Sequence, residues 1–181
     1  MIREIIALIV AAFFRLTAPI FLKFNRVKSS GRIRLSGFPL IKNKGHITLG
    51  AGSDFRSLSS FTAMGVPNPC ILNSLSSCSE IIIGKNCVIG SDVILKNSIL
   101  GDNVVIQSGC KIGLKGFGFI PIKDNNFKIP HIGRVLISNN VEIASGCTID
   151  RGSVDDTEIG KNTYLDNQVH IAHNVKIGSN C

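Results

Sequence analysis

Tryptophan is absent from this chain of 181 residues, tyrosine occurs once, and the longest uninterrupted apolar run has ten residues. The shortage of large aromatic side chains, combined with 18 glycines and many isoleucines and valines, disfavours a helical bundle and favours stacked short strands. A composition of 44% hydrophobic and 18% charged residues also excludes a disordered chain. We therefore expect one globular, all-β unit.

Acidic residues are almost missing from the first fifty positions. Residues 1–50 contain nine lysines or arginines and one acid, Glu4, whereas residues 51–181 contain eleven residues of each sign. The net charge of +8 is therefore local, and it lies beside the apolar run Ile5–Phe14. That run is about half as long as a bilayer-spanning helix. We expect residues 1–28 to form a short apolar helix that anchors the protein to an anionic membrane surface, with packing against protein or a targeting role as alternatives.

Aliphatic residues recur at every sixth position over most of the remaining chain. This period, with small residues at the intervening corners, predicts a parallel β-helix with three short strands in each coil. Two five-residue steps through Val154 suggest one shortened coil. The positions that define the register are Ile83, Ile89, Leu95, Leu100, Ile106, Ile112, Ile137, Ile143, Ile149, Val154, Ile159, Leu165, Ile171 and Ile177.

The six cysteines include no Cys-x-x-Cys pair, which disfavours a redox or zinc-ribbon motif. Four of them follow a register aliphatic by four positions, so we expect them to be small buried side chains at coil corners. These four are Cys87, Cys110, Cys147 and Cys181.

The β-helix is expected to occupy residues 29–181, with one inserted loop. Residues 113–134 leave the six-residue register and are rich in phenylalanine, which suggests a projecting loop with a binding role. The sequence ends at Cys181 inside a coil, so we expect the chain to be truncated at its C-terminus.

Four motifs in the second half carry a family resemblance. Residues 83–181 resemble the UDP-3-O-acylglucosamine N-acyltransferase family of lipid A biosynthesis, and residues 31–57 resemble sugar O-acetyltransferases of the same hexapeptide-repeat superfamily. The first resemblance implies that the β-helix is left-handed. The motifs are GFGF (116–119), KIPHIGRV (128–135), TIDRGSVDDTEIG (148–160) and LDNQVHIAHNVKIG (165–178).

The resemblance implies an activity and a set of partners. The expected enzyme moves a 3-hydroxyacyl group from acyl carrier protein to the amine of UDP-3-O-acylglucosamine, without a cofactor, as a cytoplasmic homotrimer that is peripheral at the inner face of the membrane. No nucleic acid is expected as a partner. Two alternatives stay open: an acetyl-CoA-dependent sugar O-acetyltransferase, suggested by the first hundred residues, and a non-catalytic β-helix, suggested by the abrupt end.

The resemblance also assigns the catalytic base, His173 in the motif IAHNV. An imidazole suits the removal of a proton from an attacking amine at neutral pH. We expect Asp166 or Asp156 to orient the ring. If the shortened coil lies beneath, Asp156 lies under His173 and Asp150 under Asp166.

Four further residues are candidates for substrate contact. Asn167 and Gln168 could bind donor or sugar, although an asparagine ladder inside the solenoid is an equally good interpretation. Phe117 and Phe119 could contact an acyl chain or substrate, with a glycine-flanked turn that covers the coil edge as the alternative.

A zinc site built on His170 and His173 is the remaining alternative. The wider ligand spacing of zinc-binding β-helices is absent, and His46 and His131 lie far away in the sequence, so we expect no metal. His131 and His170 stand where the family commonly has glutamine.

Overall fold

A computed structural model describes residues 12–13, 16–36, 40–56, 71–74 and 79–181. Residues 12–13 and 16–24 are helical, and the chain then runs through parallel strands, numbered here in chain order, that form three sheets. This is the left-handed parallel β-helix of hexapeptide repeats, preceded by a short helix, that the sequence predicts. The fold prediction is therefore confirmed.

Each coil contributes one strand to each of the three faces. The first face contains β1 (Lys28–Ser29), β4 (His46–Leu49), β7 (Glu80–Ile83), β10 (Ser98–Leu100), β15 (Val135–Ile137), β18 (Thr157–Ile159) and β21 (Lys176–Ile177). The second contains β2 (Arg34–Ser36), β5 (Asp54–Arg56), β8 (Val88–Ile89), β11 (Val105–Ile106), β16 (Glu142–Ile143) and β19 (Tyr164–Leu165). The third contains β3 (Leu40–Asn43), β6 (Ile71–Ser74), β9 (Ile94–Leu95), β12 (Lys111–Lys115), β17 (Thr148–Arg151) and β20 (His170–Ile171).

The core is a column of aliphatic side chains. Each strand turns its register residue inward, and this residue stacks on the equivalent residues of the neighbouring coils. Leu100, for example, pairs with Ile83 on one side and with Ile137 on the other. All three side chains are buried. Burial of one such side chain contributes about 1.5–3 kcal/mol, so the stack rather than any single coil holds the fold together.

Asparagines form a ladder at one corner of the prism. Their backbones adopt the left-handed conformation, which asparagine tolerates better than most residues and which the sharp corner requires. The first four side-chain amides of the ladder each donate to the amide oxygen one coil further on, as from Asn103 to Asn140 at 3.0 Å. The ladder consists of Asn86, Asn103, Asn140, Asn162 and Asn180.

The predicted structural role of the cysteines is confirmed for Cys87, Cys110 and Cys147. All three are buried, and each thiol donates to a backbone carbonyl of the next coil at 3.0–3.2 Å. Burial raises the pKa of Cys87 and of Cys110 to about 11, so both stay protonated and unreactive at neutral pH. Cys181, the last residue, is exposed.

The prediction that Val154 is a register residue is wrong. Its side chain is 83% exposed, because residues 152–156 leave the coil as a turn between the third and first faces. The amide of Gly133 donates to the carbonyls of Gly152 and Ser153 and holds this turn against the preceding coil. The chain therefore passes from Ile149 to Ile159 without an intermediate core position.

The N-terminal helix packs against the end of the β-helix. Ala18 and Leu22 are buried in the same hydrophobic cluster as the coils, which agrees with the packing alternative for this segment. The opposite side of the helix exposes Leu16, Ile20 and Phe24. Among the described residues, no helix is long and apolar enough to span a bilayer. Residues 1–11, with most of the apolar run, lie outside the described residues.

The inserted segment projects from the coils between β12 and β15. Its strands β13 (Phe119–Ile122) and β14 (Asn125–Lys128) pair antiparallel as a hairpin. The hairpin exposes Ile120, Ile122 and Phe127. The exposed apolar surface of the hairpin therefore lies outside the core of the β-helix.

Candidate functional site

His173 lies where the chain turns out of the third face. Ile171, two residues earlier, is buried and pairs with Ile149 of the coil beneath. The ring of His173 therefore leaves the core at the next corner. The ring is partly buried, and Nδ1 lies 2.8 Å from Oδ1 of Asn174. The six-residue pattern therefore accounts for the outward direction of this side chain.

The contacts of Asn174 fix the tautomer of His173. Oδ1 of Asn174 accepts a bond from the backbone N–H of Ser153 at 3.0 Å and another from its hydroxyl at 2.7 Å. Nδ2 of Asn174 donates to the carbonyl of Asp155 at 3.2 Å. Because Oδ1 can only accept, Nδ1 of His173 must donate to it, which leaves the lone pair of the neutral ring on Nε2.

A second imidazole, that of His131, lies against the first. The ring centroids are 4.9 Å apart and the ring planes meet at 77°. Nδ1 of His131 is 3.1 Å from the carbonyl of Ile129, so it carries the proton, while Nε2 is buried and has no hydrogen-bond partner. Gly116 covers both rings, since a Cβ there would lie 2.7 Å from Cδ2 of His173 and 2.9 Å from Nε2 of His131.

A carboxylate, that of Asp150, lies in the coil beneath His170. This residue follows the part of β17 that pairs with β20, where Thr148 faces His170 and Ile149 faces Ile171. The side chain is 15% exposed, and Oδ2 lies 3.8 Å from Nε2 of His170. Burial raises the pKa of Asp150, and the positive charges that His170, His173 and His131 can carry lower it by less.

The stacking predicted for the aspartates is wrong. Thr148 lies under His170, an offset of 22 residues, because the turn at 152–156 adds length to the coil without adding a core position. Asp156 consequently faces Arg134, whose guanidinium Nη2 lies 3.0 Å from Oδ2 and whose backbone N–H donates to Oδ1 at 2.6 Å.

The structure does not bring Asp166, Asn167 and Gln168 to His173. They lie at the corner between the second and third faces, whereas His173 lies beyond the third face. Oδ1 of Asp166 accepts the backbone N–H of Asn167 at 2.7 Å, and Oδ1 of Asn167 accepts the N–H of Ser145 in the coil beneath at 3.0 Å. Gln168 has the positive φ of a tight corner. In this chain their contacts are those of coil stacking.

Phe117 and Phe119 do lie near the histidines. They follow Gly116, which covers the two rings, and their own rings form an edge-to-face pair with centroids 5.4 Å apart. Phe117 is 84% exposed and Phe119 is 40% exposed. This pair borders the histidine cluster with an accessible apolar surface.

Arg151 holds the returning end of the loop. Nε donates to the carbonyl of Gly133 at 2.6 Å and Nη2 donates to that of Ile132 at 2.8 Å, and these residues follow His131 directly. Sequence reasoning missed this role and that of Asn174. The sequence alone carried no signal for them, because TIDRG and HIAHN fall on neighbouring coils only with the 22-residue offset that the structure shows.

In the part of the chain that the structure describes, no three His, Cys, Asp or Glu side chains converge as a metal site. Nδ1 of His170 is engaged by the hydroxyl of Thr148 at 2.7 Å, so the two histidines of the candidate zinc motif do not point their donors at a common centre.

Comparisons with known proteins found one matching family model and a set of similar proteins. The model for the bacterial transferase hexapeptide (six repeats) matches residues 156–181. The chain is similar to proteins named UDP-3-O-acylglucosamine N-acyltransferase: that of Bradyrhizobium diazoefficiens is 50% identical over 95 residues, which are 52% of this chain and 24% of that protein. The protein from Rhizobium rhizogenes is 50% identical over 96 residues, 53% of this chain and 27% of that protein. The protein from Nitrobacter hamburgensis is 56% identical over 77 residues, 42% of this chain and 21% of that protein.

The relatives are named as acyltransferases, and this chain spans about a quarter of their length.

Proposed function

We propose that the protein is an N-acyltransferase of lipid A biosynthesis that moves a 3-hydroxyacyl group from acyl carrier protein to the amine of UDP-3-O-acylglucosamine. The observation that carries this proposal is the state of His173. Its Nδ1–H is fixed by Asn174 and its Nε2 is left as a base, in a chain about half of which is similar to proteins of that name. UDP-sugar and acyl carrier protein are the corresponding partners.

The reaction requires little beyond a base and an aligned thioester. The acceptor amine attacks the thioester carbonyl and forms the C–N bond, while Nε2 of His173 takes the proton that the nitrogen loses. Collapse of the tetrahedral intermediate breaks the C–S bond, and the protonated imidazole returns the proton to the leaving thiolate. The thioester itself supplies the activation, so the proposed reaction uses no cofactor.

An apolar edge beside the base suits the acyl chain. Phe117 and Phe119 expose their rings next to the residue that covers both imidazoles. Contact with a hydrocarbon chain would remove this surface from water, which favours a long acyl donor over acetyl-CoA. Phe117 and Phe119 are therefore our candidates for donor binding.

A donor panel tests the proposal. The full chain is incubated with a UDP-linked 3-O-acylglucosamine and, in turn, with 3-hydroxyacyl carrier proteins of several chain lengths and with acetyl-CoA, and the amide product is followed by mass spectrometry. We expect amide product from the carrier-protein donors. Transfer from acetyl-CoA alone, to a hydroxyl group, would replace the proposal by a sugar O-acetyltransferase.

We further propose that the enzyme is a homotrimer in the cytoplasm. The exposed apolar side chains of the hairpin, such as Ile120 and Phe127, support contact with neighbouring copies, because a large apolar surface of this kind is usually covered.

We also propose that the N-terminal helix holds the protein at the inner face of the membrane. Its apolar side chains Leu16, Ile20 and Phe24 are exposed, and no acidic residue occurs between Glu4 and Asp54. Such a surface suits an anionic leaflet, where each basic residue contributes about 1 kcal/mol.

A further inference from the structure

We infer that Asp150 is a positioning residue whose carboxylate stabilises the positive charge that His173 gains when it takes the proton of the amine; the inference rests on the proposed function. The geometry that supports it is the register of neighbouring coils. Ile149 pairs with Ile171, so Asp150 and His173 follow the paired residues at the same corner, and Oδ2 of Asp150 lies 3.8 Å from Nε2 of His170.

The carboxylate lies in an environment that does not favour its charge. The Asp150 side chain is mostly buried, and its one ion pair in the described part of the chain is the 3.8 Å contact with His170, which is longer than a hydrogen bond. A buried charge without a close partner destabilises a folded protein. A fold that needed only packing here would be more stable with an amide or an apolar side chain.

The imidazoles are the electrostatic partners of Asp150, because the neighbouring Arg151 side chain is engaged elsewhere. On the neighbouring β12, Leu114 pairs with Asp150 and Lys115 pairs with Arg151. The Arg151 guanidinium donates to loop carbonyls instead of to this carboxylate. The groups that lower the pKa of Asp150 are the histidines, His170 first and then His173 and His131, although burial raises it by more.

His173 is the imidazole whose charge changes during the proposed reaction. Its Nδ1–H already donates to Asn174, so the added proton goes to Nε2 and the ring becomes a cation. The opposite charge on Asp150 favours that cation. Removal of the carboxylate should therefore weaken His173 as a base while leaving the coil intact.

The experiment compares Asp150→Asn with wild type, His170→Gln and Asp92→Asn in the full chain. Asparagine keeps the shape of Asp150 and removes its charge. Asp92→Asn removes a carboxylate whose partner is Lys111 and not a histidine. The readouts are kcat and KM against pH, the titration midpoints of the histidines by NMR, and unfolding in urea.

We expect Asp150→Asn to lower kcat by about tenfold or more with little change in KM, which corresponds to at least about 1.4 kcal/mol of barrier. The midpoint of the His173 titration and the ascending limb of the rate profile should both move to lower pH. His170→Gln and Asp92→Asn should keep kcat within about threefold of wild type and leave the His173 midpoint in place.

Stability should change in the opposite direction to activity. Since burial raises the pKa of Asp150, the folded state binds its proton more tightly than the unfolded chain does. The stabilisation from this group is complete below the ordinary value of 3.8 and is lost as the pH rises through the raised pKa. At pH 7, Asp150→Asn should therefore unfold at a urea concentration no lower than wild type.

Two results would overturn the inference. One is an Asp150→Asn variant that keeps both its kcat and its His173 midpoint; the other is a His170→Gln variant that reproduces both changes, since Asp150 would then act only through His170. If wild type shows no acyl transfer at all, the proposed function fails, and the NMR midpoints alone decide whether Asp150 holds the charge of His173.

Discussion

At the scale of single residues, the side chain that carries the proposed chemistry is fixed by its neighbour in the sequence. Asn174 follows His173 directly and accepts its Nδ1–H, while the same oxygen accepts two bonds from Ser153. This arrangement holds the ring in one tautomer before any substrate binds. The base is therefore preorganised by the corner of the coil itself.

Replacement of His173 by alanine should lower kcat by about 10²–10⁴-fold, the range for a lost general base. Folding should change little, because the ring lies outside the core column. The measurement is the pH–rate profile of acyl transfer, whose ascending limb should disappear. His170→Gln is the matched control because it changes an exposed neighbouring imidazole. Near-full activity in His173→Ala combined with loss in His170→Gln would mean that the base is assigned to the wrong residue.

Gly116 should tolerate no side chain without moving the histidines. In Gly116→Ala the new Cβ would lie 2.7 Å from Cδ2 of His173 and 2.9 Å from Nε2 of His131, so one of the rings must shift. We expect kcat to fall by about tenfold or more while the urea midpoint changes little, since a displacement of about 1 Å disturbs a reacting geometry strongly.

Gly118→Ala provides the control, because its Cβ would lie 3.4 Å from Cε1 of His131, an ordinary contact distance. Equal kcat values for the two alanine variants would show that Gly116 does not set the position of the rings.

At the scale of elements, the N-terminal helix has two apolar sides with different roles. Ala18 and Leu22 close the end of the β-helix, so deletion of the whole segment would uncover the core. Leu16, Ile20 and Phe24 repeat at intervals of four residues and lie on one exposed stripe. Substitution of that stripe separates membrane binding from folding, which a deletion cannot do.

The triple replacement of Leu16, Ile20 and Phe24 by glutamine should abolish sedimentation with vesicles that contain phosphatidylglycerol. Wild type should bind these vesicles at low salt, and binding should weaken as salt rises, because screening shortens the reach of the basic residues. Val154→Gln, which changes an equally exposed apolar residue far along the chain, should bind like wild type. Binding that survives the triple replacement, or that is equal for neutral phosphatidylcholine vesicles, would contradict the anchor.

At the scale of the whole molecule, the exposed apolar residues of the hairpin predict association. Light scattering coupled to size exclusion should give a mass near three times 19.5 kDa at micromolar concentration. Replacement of Ile120 and Phe127 by serine should shift this mass towards that of the monomer, since both side chains are exposed on the single chain. A stable wild-type monomer would contradict the homotrimer.

The sequence predicted the fold correctly because a repeat leaves few alternatives. A bulky aliphatic at every sixth position can be buried only if three strands close a coil and successive coils stack, and each repeat adds the same constraint. The burial of Cys87, Cys110 and Cys147 follows from the same register. The outward direction of His173 follows as well, because it is counted from the buried Ile171.

The neighbours of His173 were decided only by the tertiary structure. Contacts between coils depend on the number of residues in each turn, and nothing in the period shows that residues 152–156 bulge outward rather than form a strand. That bulge sets the 22-residue offset, places Asp150 beside His170 and turns Asp156 towards Arg134. His131 reaches His173 from a loop with no repeat, so its position depends on the contacts of Arg151 and Gly116 with that loop. Local periodicity determines what is buried, whereas turn length and long-range hydrogen bonds determine which polar groups meet.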